Sequence, residues 1–346
     1  MMWRFGTILV AVFAVQLTGA AHDTHVSAAE LEVSLPIDCD FGQDCFVQNY
    51  VDIDPGPDVQ TATCAQAGYD GHKGTDFRVL NTNQNAGVIA SAPGVVKGVR
   101  NDMPDRLVQS AEDRKRIEGK ECGNGVVISH GNGWETQYCH MRQGSVIVSS
   151  GDRVERGDVL GQVGFSGFAA FPHVHLSLRK DGQVVDPFLG HPEAAEDRLA
   201  RCASVAEAKA AYDGSLWQGD LVALLKDADG EIIQTGFADS AVKSIDLETG
   251  TEAEPGTRSP VFVFFARLIN LKKGDRVALR LVGPEGVMAE SKGEPLERQK
   301  AQWVAFAGRK LRGEAWPAGE YVGTAMLIRN EQIFRQETTL FSLRNP

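Results

Sequence analysis

His72 and Asp76 stand four residues apart in Gly71-His72-Lys73-Gly74-Thr75-Asp76, and His173 and His175 stand two apart in His173-Val174-His175-Leu176-Ser177-Leu178. A further histidine, His140, closes the run Tyr138-Cys139-His140. Two imidazoles and one carboxylate suffice for a tetrahedral zinc site whose fourth position stays open, the arrangement of metal that does chemistry rather than holds a fold. Water in that position would have its pKa lowered to about 7, and the ion can polarise a carbonyl, so the chemistry is suited to amide hydrolysis. Two histidines would remain to position or deprotonate the water and to stabilise an oxyanion.

For these side chains to converge, the segments that carry them must be extended. Glycines 71 and 74 argue against a helix, and residues four apart on a strand face one side, so His72 and Asp76 are expected to point together. Strict alternation over 173–178 puts His173, His175 and Ser177 on one face and Val174, Leu176 and Leu178 on the other, toward a core. Tyr138 and His140 are expected to share one face of the strand after the Gly131-Asn132-Gly133 turn. Around them, residues 87–186 string short apolar stretches between glycines, as in Gly94-Val95-Val96 and Gly125-Val126-Val127-Ile128, which is the pattern of an all-β hairpin series. The charged stretch 103–120 interrupts it as an insertion loop with a short exposed helix over Ala111–Ile117.

The order Gly71-His72, Asp76-Phe77, Gly94-Val95-Val96, Gly125-Val126-Val127-Ile128 with His130, Tyr138 with His140, Gly151-Asp152, Gly161 with Gly164 and Gly167, then Pro172-His173 with His175-Leu176, resembles the lysostaphin/LytM-type zinc metallopeptidases over residues 68–188. The resemblance implies zinc ligands at His72, Asp76 and His175 and catalytic histidines at His140 and His173. It implies endopeptidases that cut peptide cross-links of bacterial peptidoglycan, on a β-rich fold with a groove over an antiparallel sheet. The 101–121 insertion departs from that pattern and could narrow or gate the groove. The cysteine-containing segment before residue 68 is a second departure, one that a minimal family domain would not need.

The chain has 346 residues, enough for two domains, and its 42% hydrophobic and 23% charged content is that of a globular protein. A net charge of −11 repels phosphate backbones and anionic headgroups, so no nucleic-acid partner is expected. Arg4 ahead of an apolar run from Phe5 to Leu17, followed by Thr18-Gly19-Ala20-Ala21, reads as a signal peptide over 1–21. The run is short of the ~20 residues that span a bilayer, so no stable membrane insertion is expected after its removal, and the location is periplasmic or secreted. Six cysteines in an exported chain suggest disulfides. Cys39 is close to Cys45, Cys122 and Cys139 flank the hairpin, and Cys64 and Cys202 remain for each other, although the sequence alone does not fix the connectivity.

The expected organisation is a signal peptide (1–21), an N-terminal cysteine-containing segment (22–67), a zinc metallopeptidase domain (68–190), an Ala- and Glu-rich helical linker (191–214) and a β-sandwich accessory domain (215–346). The fold class is all-β: an antiparallel β-sheet/hybrid-barrel metallopeptidase domain followed by an immunoglobulin-like β-sandwich. No ligand-type cluster occurs beyond residue 215, so the sandwich is expected to serve placement or an envelope protein partner. His130 reads as a brace for its hairpin, and Asp52–Asp58 as a solvated acidic turn rather than a calcium loop. Trp134, Phe168 and Phe171 are candidates for groove lining or for packing, and Lys73, Arg78 and Arg100 for substrate carboxylates or strand edges. The reading is an exported zinc metalloendopeptidase acting on peptidoglycan peptides. Its rivals are a non-catalytic envelope factor of the same fold that regulates another wall hydrolase, and a secreted protease acting on proteins. A complete ligand set argues against the first rival.

Overall fold

The computed structural model describes residues 31–191, 194–202, 212, 214–226 and 229–344; the expected signal peptide lies outside them. The chain runs through β1 (Ile37–Asp38), β2 (Cys45–Asn49), β3 (Thr75–Val79), β4 (Gly87–Ile89), β5 (Gly94–Arg100), α1 (Ala111–Ile117), β6 (Asn124–Gly131) and β7 (Trp134–Met141). It continues through β8 (Arg153–Val154), β9 (Val159–Gln162), β10 (His173–Lys180), β11 (Gln183–Val185), α2 (Ala194–Cys202) and α3 (Leu221–Leu225). The remainder is β12 (Glu231–Ala238), α4 (Ser244–Thr249), β13 (Val261–Leu271), β14 (Arg276–Gly283), β15 (Gly286–Lys292), β16 (Lys300–Lys310), β17 (Gly319–Arg329) and β18 (Gln332–Leu343). No helix among the described residues is long and apolar enough to cross a membrane.

The protein is mostly β, and its named strands pair antiparallel. An eight-stranded sheet has the order β2-β3-β10-β7-β6-β5-β8 with β11 beside β10, and a small sheet has the order β1-β4-β9. The β6–β7 hairpin turns on Asn132 and Gly133, both at positive φ, as a two-residue turn of matching twist requires. Phe77 and Val79 of β3, Val126 and Ile128 of β6 and Val174, Leu176 and Leu178 of β10 share one apolar core. Val33, Ile37 and Val47 join it from the N-terminal segment, and Leu216, Trp217 and Leu225 join it from beyond α2. The segment before residue 68 is therefore built into both sheets, through β1 and β2.

Three disulfides pair Cys39 with Cys45, Cys64 with Cys202 and Cys122 with Cys139, the pairing that chain order suggested. The helix α1 spans the residues expected for the insertion, capped at Ser110 by reciprocal bonds with Asp113. Of the expected helical linker, α2 is helical, and 203–211 lies outside the described residues.

A second core lies between the sheets β12-β13-β16 and β15-β14-β17-β18, with Phe262, Phe264, Leu279, Leu281, Tyr321 and Leu327 at its centre. This is a sandwich; its likeness to immunoglobulin domains rests on the sequence pattern alone. Its central strand β13 is buried on both faces. The face turned from the second core carries Ile269, which packs with Phe46 of β2, and Arg267. There Arg78 Nη2 donates to Glu248 Oε2 at 2.8 Å, and Arg267 Nη1 lies 3.2 Å from the same oxygen. Arg78 also donates to Gln302 Oε1 at 2.8 Å and to Gln48. All three charged side chains are buried, and one carboxylate compensates two guanidiniums. Removing it would leave Arg78 buried without its ion-pair partner and Arg267 with only the charge of Glu252, so Glu248→Ala is expected to lower the unfolding free energy by about 3–5 kcal/mol. Urea denaturation of the two proteins checks this; a loss below about 1 kcal/mol, the value of an exposed pair, would mean that water reaches the guanidiniums.

Candidate metal centre

Alternation along β3 sends Phe77 and Val79 into the core and leaves Asp76 and Arg78 on the opposite side. Asp76 is the cross-strand partner of His175 on β10, which places their side chains together. His72 lies in the loop before β3 rather than on the strand itself, held by its backbone carbonyl, which accepts from Asp52 N at 2.9 Å. Three donor atoms converge: His175 Nδ1 lies 2.7 Å from Asp76 Oδ1, and His72 Nε2 lies 3.2 Å from both. Ligands at about 2.0–2.1 Å from a tetrahedral zinc would stand roughly 3.3 Å apart, so this donor set fits such an ion.

A second layer fixes each ring. His72 Nδ1 donates to Tyr50 O at 2.7 Å, His175 Nε2 faces Ser177 Oγ at 2.9 Å, and Asn49 Nδ2 donates to Asp76 Oδ2 at 2.7 Å. In the neutral rings each contact holds the proton on the outward nitrogen and leaves the inward one with a free lone pair; when the rings are protonated, the inward nitrogens donate to Asp76 instead. Beside them, His173 Nδ1 donates to Phe171 O and His140 Nδ1 to Ser166 O, both at 2.8 Å. Their ring centroids are 4.5 Å apart, and His173 Nε2 lies 3.5 Å from Asp76 Oδ1.

His140 reaches this cluster by a route that strand alternation does not foresee. Tyr138 and His140 do not share a face: Tyr138 is in the core with its hydroxyl accepting from Ser91 N, whereas His140 faces His173 and His175. Register explains the difference, since Val126 pairs with Tyr138 but Asn124 with Met141, so Cys139 and His140 together oppose a single residue of β6. His140 takes a left-handed φ of 62° in this bulge, and the extra residue reverses the parity of the strand.

Burial, the largest influence on both, lowers the pKa of His173 and, helped by the charges of His173 and His175, holds that of His140 well below the usual histidine range. Burial would also raise Asp76, but the charges of His72 and His173 and hydrogen bonds from His175 and His72 outweigh it and keep the carboxyl well below its usual value. For His72, burial is opposed and overcome by the Asp76 charge and hydrogen bond, and its pKa is raised.

Comparison with protein families matches residues 70–187 to peptidase family M23. These residues are an M23 peptidase domain. Over 65 residues the chain is 42% identical to the DD-carboxypeptidase/endopeptidase Mpg of Neisseria meningitidis serogroup B, covering 19% of this chain and 14% of that protein. Over 116 residues it is 33% identical to the peptidoglycan DD-endopeptidase ShyA of Vibrio cholerae, covering 33% and 22%. The matched part thus spans less than a quarter of these relatives' length. Among solved structures, the catalytic domain of the prophage-encoded M23 protein EnpA from Enterococcus faecalis is similar with 26% identity and a TM-score of 0.29, covering 43% of this chain and 92% of that one.

The M23 domain holds a groove of about 470 Å³ above β7 and β10. Tyr69 and Lys73 form one wall, Glu121, Cys122 and Phe168 the other, and His140 and His175 lie in the floor. The end of the insertion therefore supplies a wall, and α1 is tied to it by Arg114 stacked over Phe168 at 5.2 Å. Phe171 packs on His173 at 4.5 Å, and Trp134 joins the first core with Lys180 over its ring, away from the groove. Arg78 meets no strand edge or substrate, being buried against Glu248, and Arg100 donates to Gly123 O. His130 bridges Pro93 O and Thr136 Oγ1, as a hairpin brace would, and Asp52 accepts backbone bonds from Asp54, Gln60 and Gly71. Asn49 and Tyr50 carry no motif; the one sequence signal for them is a pair of polar residues, Gln48 and Asn49, ending an otherwise apolar strand.

Gly74 makes the approach of His175 attainable, because a Cβ there would lie 2.5 Å from His175 Nε2 and 2.6 Å from Leu176 O. Gly74→Ala should therefore displace that ring and weaken metal affinity by about 10–100-fold, the usual effect of disturbing a ligand's supporting contacts. Competition against a zinc-sensitive dye measures it; unchanged affinity would mean that the loop moves aside freely.

Proposed function

We propose that the protein is an exported zinc-dependent endopeptidase that hydrolyses peptide bonds of peptidoglycan stem peptides or cross-links. The convergence of His72 Nε2, Asp76 Oδ1 and His175 Nδ1 beside two buried histidines carries this reading. Bound there, zinc would supply a Lewis acid for the scissile carbonyl and for water activation. The chain's own residues do the rest. His140 and His173 each give up Nδ1–H to a backbone carbonyl, so when neutral each presents a free Nε2 lone pair to the cluster. Burial favours that neutral form, and one of the pair can take the proton of the attacking water and return it to the leaving amine. Backbone anchoring of both rings removes the need to reorient them as the reaction proceeds.

The similarity to the peptidoglycan DD-endopeptidase ShyA supports the substrate, and three disulfides support an oxidising compartment. In the same reading, residues 68–190 do the chemistry and the C-terminal sandwich places the enzyme or meets an envelope partner.

Metal analysis of the purified protein should find about one zinc per chain. His175→Ala should lose most of it, whereas His140→Ala and His173→Ala should keep the metal and lose about 10²–10⁴-fold in turnover. Zinc retained by His175→Ala but lost by His173→Ala would exchange the two roles. Digestion of purified sacculi and of a denatured protein in parallel should release peptide fragments from the sacculi alone. Cleavage of the protein substrate would favour a secreted protease, and no cleavage of either by zinc-loaded protein would favour a regulator of another hydrolase.

A further inference from the structure

The groove floor continues past the histidines along the face that β7 and β10 share. Register pairs His175 with Cys139, Ser177 with Gln137 and Arg179 with Glu135, so the floor passes from imidazole to neutral polar groups to a guanidinium. Arg179 lies about 14 Å of strand beyond His175, at ~3.4 Å per residue. Its guanidinium turns to Gln137, where Nη2 donates to Oε1 at 2.5 Å. Gln137 pairs with Ser177, two residues or about 7 Å of strand from His175, so the guanidinium stands about two residues of an extended substrate from the metal centre.

Unlike Arg78 and Lys97, Arg179 has no carboxylate partner among the described residues, and unlike Arg100, which also bonds a neutral oxygen, it lines the groove. Arg78 is held by Glu248, Lys97 by Glu135 and Arg100 by a backbone carbonyl. Glu135, the residue opposite Arg179, is thereby engaged elsewhere, and among the described residues no carboxylate forms an ion pair with Arg179. Gln137 occupies one of the five N–H donors of the guanidinium. In a chain with 46 acidic and 35 basic residues, a guanidinium facing a groove with only a neutral partner is a site prepared for an anion. Lys73 adds a second positive charge on the adjoining wall.

We propose that Arg179, assisted by Lys73, binds a free carboxylate on a substrate residue flanking the scissile bond. The proposal rests on the peptidase reading and narrows its substrate class to peptides in which that carboxylate is not amidated. A carboxylate accepts two parallel N–H bonds from a guanidinium, whereas a primary amide brings no charge and turns a donor group toward a partner that accepts nothing. Because Arg179 is only partly buried, the discrimination expected is modest, about tenfold.

The test uses the zinc-loaded full chain and two synthetic stem-peptide dimers that differ only in a free carboxylate or its primary amide next to the cross-link. The carboxylate form should have the higher kcat/KM by about tenfold, through KM, and the advantage should shrink as salt rises. In Arg179→Gln the ratio of the two substrates should approach one, Arg179→Lys should keep part of it, and Lys73→Gln should reduce it. Calorimetric titration of the same two peptides reads the preference in Kd without any turnover. The subsite can therefore be judged even if neither dimer is cut, an outcome that would count against the peptidase reading alone. Equal Kd and kcat/KM for the two peptides, or a preference that survives in folded Arg179→Gln, would overturn the subsite. Should Arg179→Gln fail to fold, the salt dependence and Lys73→Gln decide: a preference unchanged by both overturns it.

Discussion

A buried carboxylate organises this protein. Asp76 is 2% exposed inside an eight-stranded sheet, and a charge in that position costs several kcal/mol unless its surroundings compensate it. The order of strands is the order in which compensation arrives. The β2 end supplies Asn49 and Tyr50, β3 supplies the carboxylate itself, β10 supplies His173 and His175, and β7 supplies His140. Four neighbouring strands thus meet around one negative charge, and their demand for positive charge is what suits the place to a metal ion.

Much of this was legible in the sequence because the relevant signals are local. The alternation of 173–178 assigns two histidines and a serine to one face without any knowledge of the partner strands. Asn132-Gly133 marks its hairpin, and the short insertion helix is bounded by its own cap. The rest depends on contacts that no window of sequence contains. Parity along β7 fails at His140 because the bulge is a property of the β6–β7 ladder. Arg78 shares the face of Asp76, as alternation requires, but its counter-charge lies 170 residues away. Asn49 and Tyr50 matter only through pairing between β2 and β3 and through a loop that returns beneath them.

The same long-range contacts bind the two cores more closely than a simple succession of modules would. Arg78 is the cross-strand partner of His173, and its guanidinium lies over the Phe171 ring at 4.9 Å while that ring packs against His173 on another side. Glu248, from beyond β12, therefore stands two contacts from one of the site histidines. Among the described residues of the sandwich there is no cluster of metal-ligand type, yet it supplies the charge that keeps this layer of the M23 domain in place.

The bridge between Cys64 and Cys202 closes a loop with a sequence separation of 138 that encloses every residue of the donor set. An exposed part of that loop, the helix of the insertion, lies between Asp76 and His175 in sequence. If a protease nicks the chain there, His72 and Asp76 fall on one fragment and His175 on the other, but the fragments stay joined through sulfur and through the sheet. The molecule would migrate as one species until reduced, and a clipped copy would keep all three donors in one covalent piece.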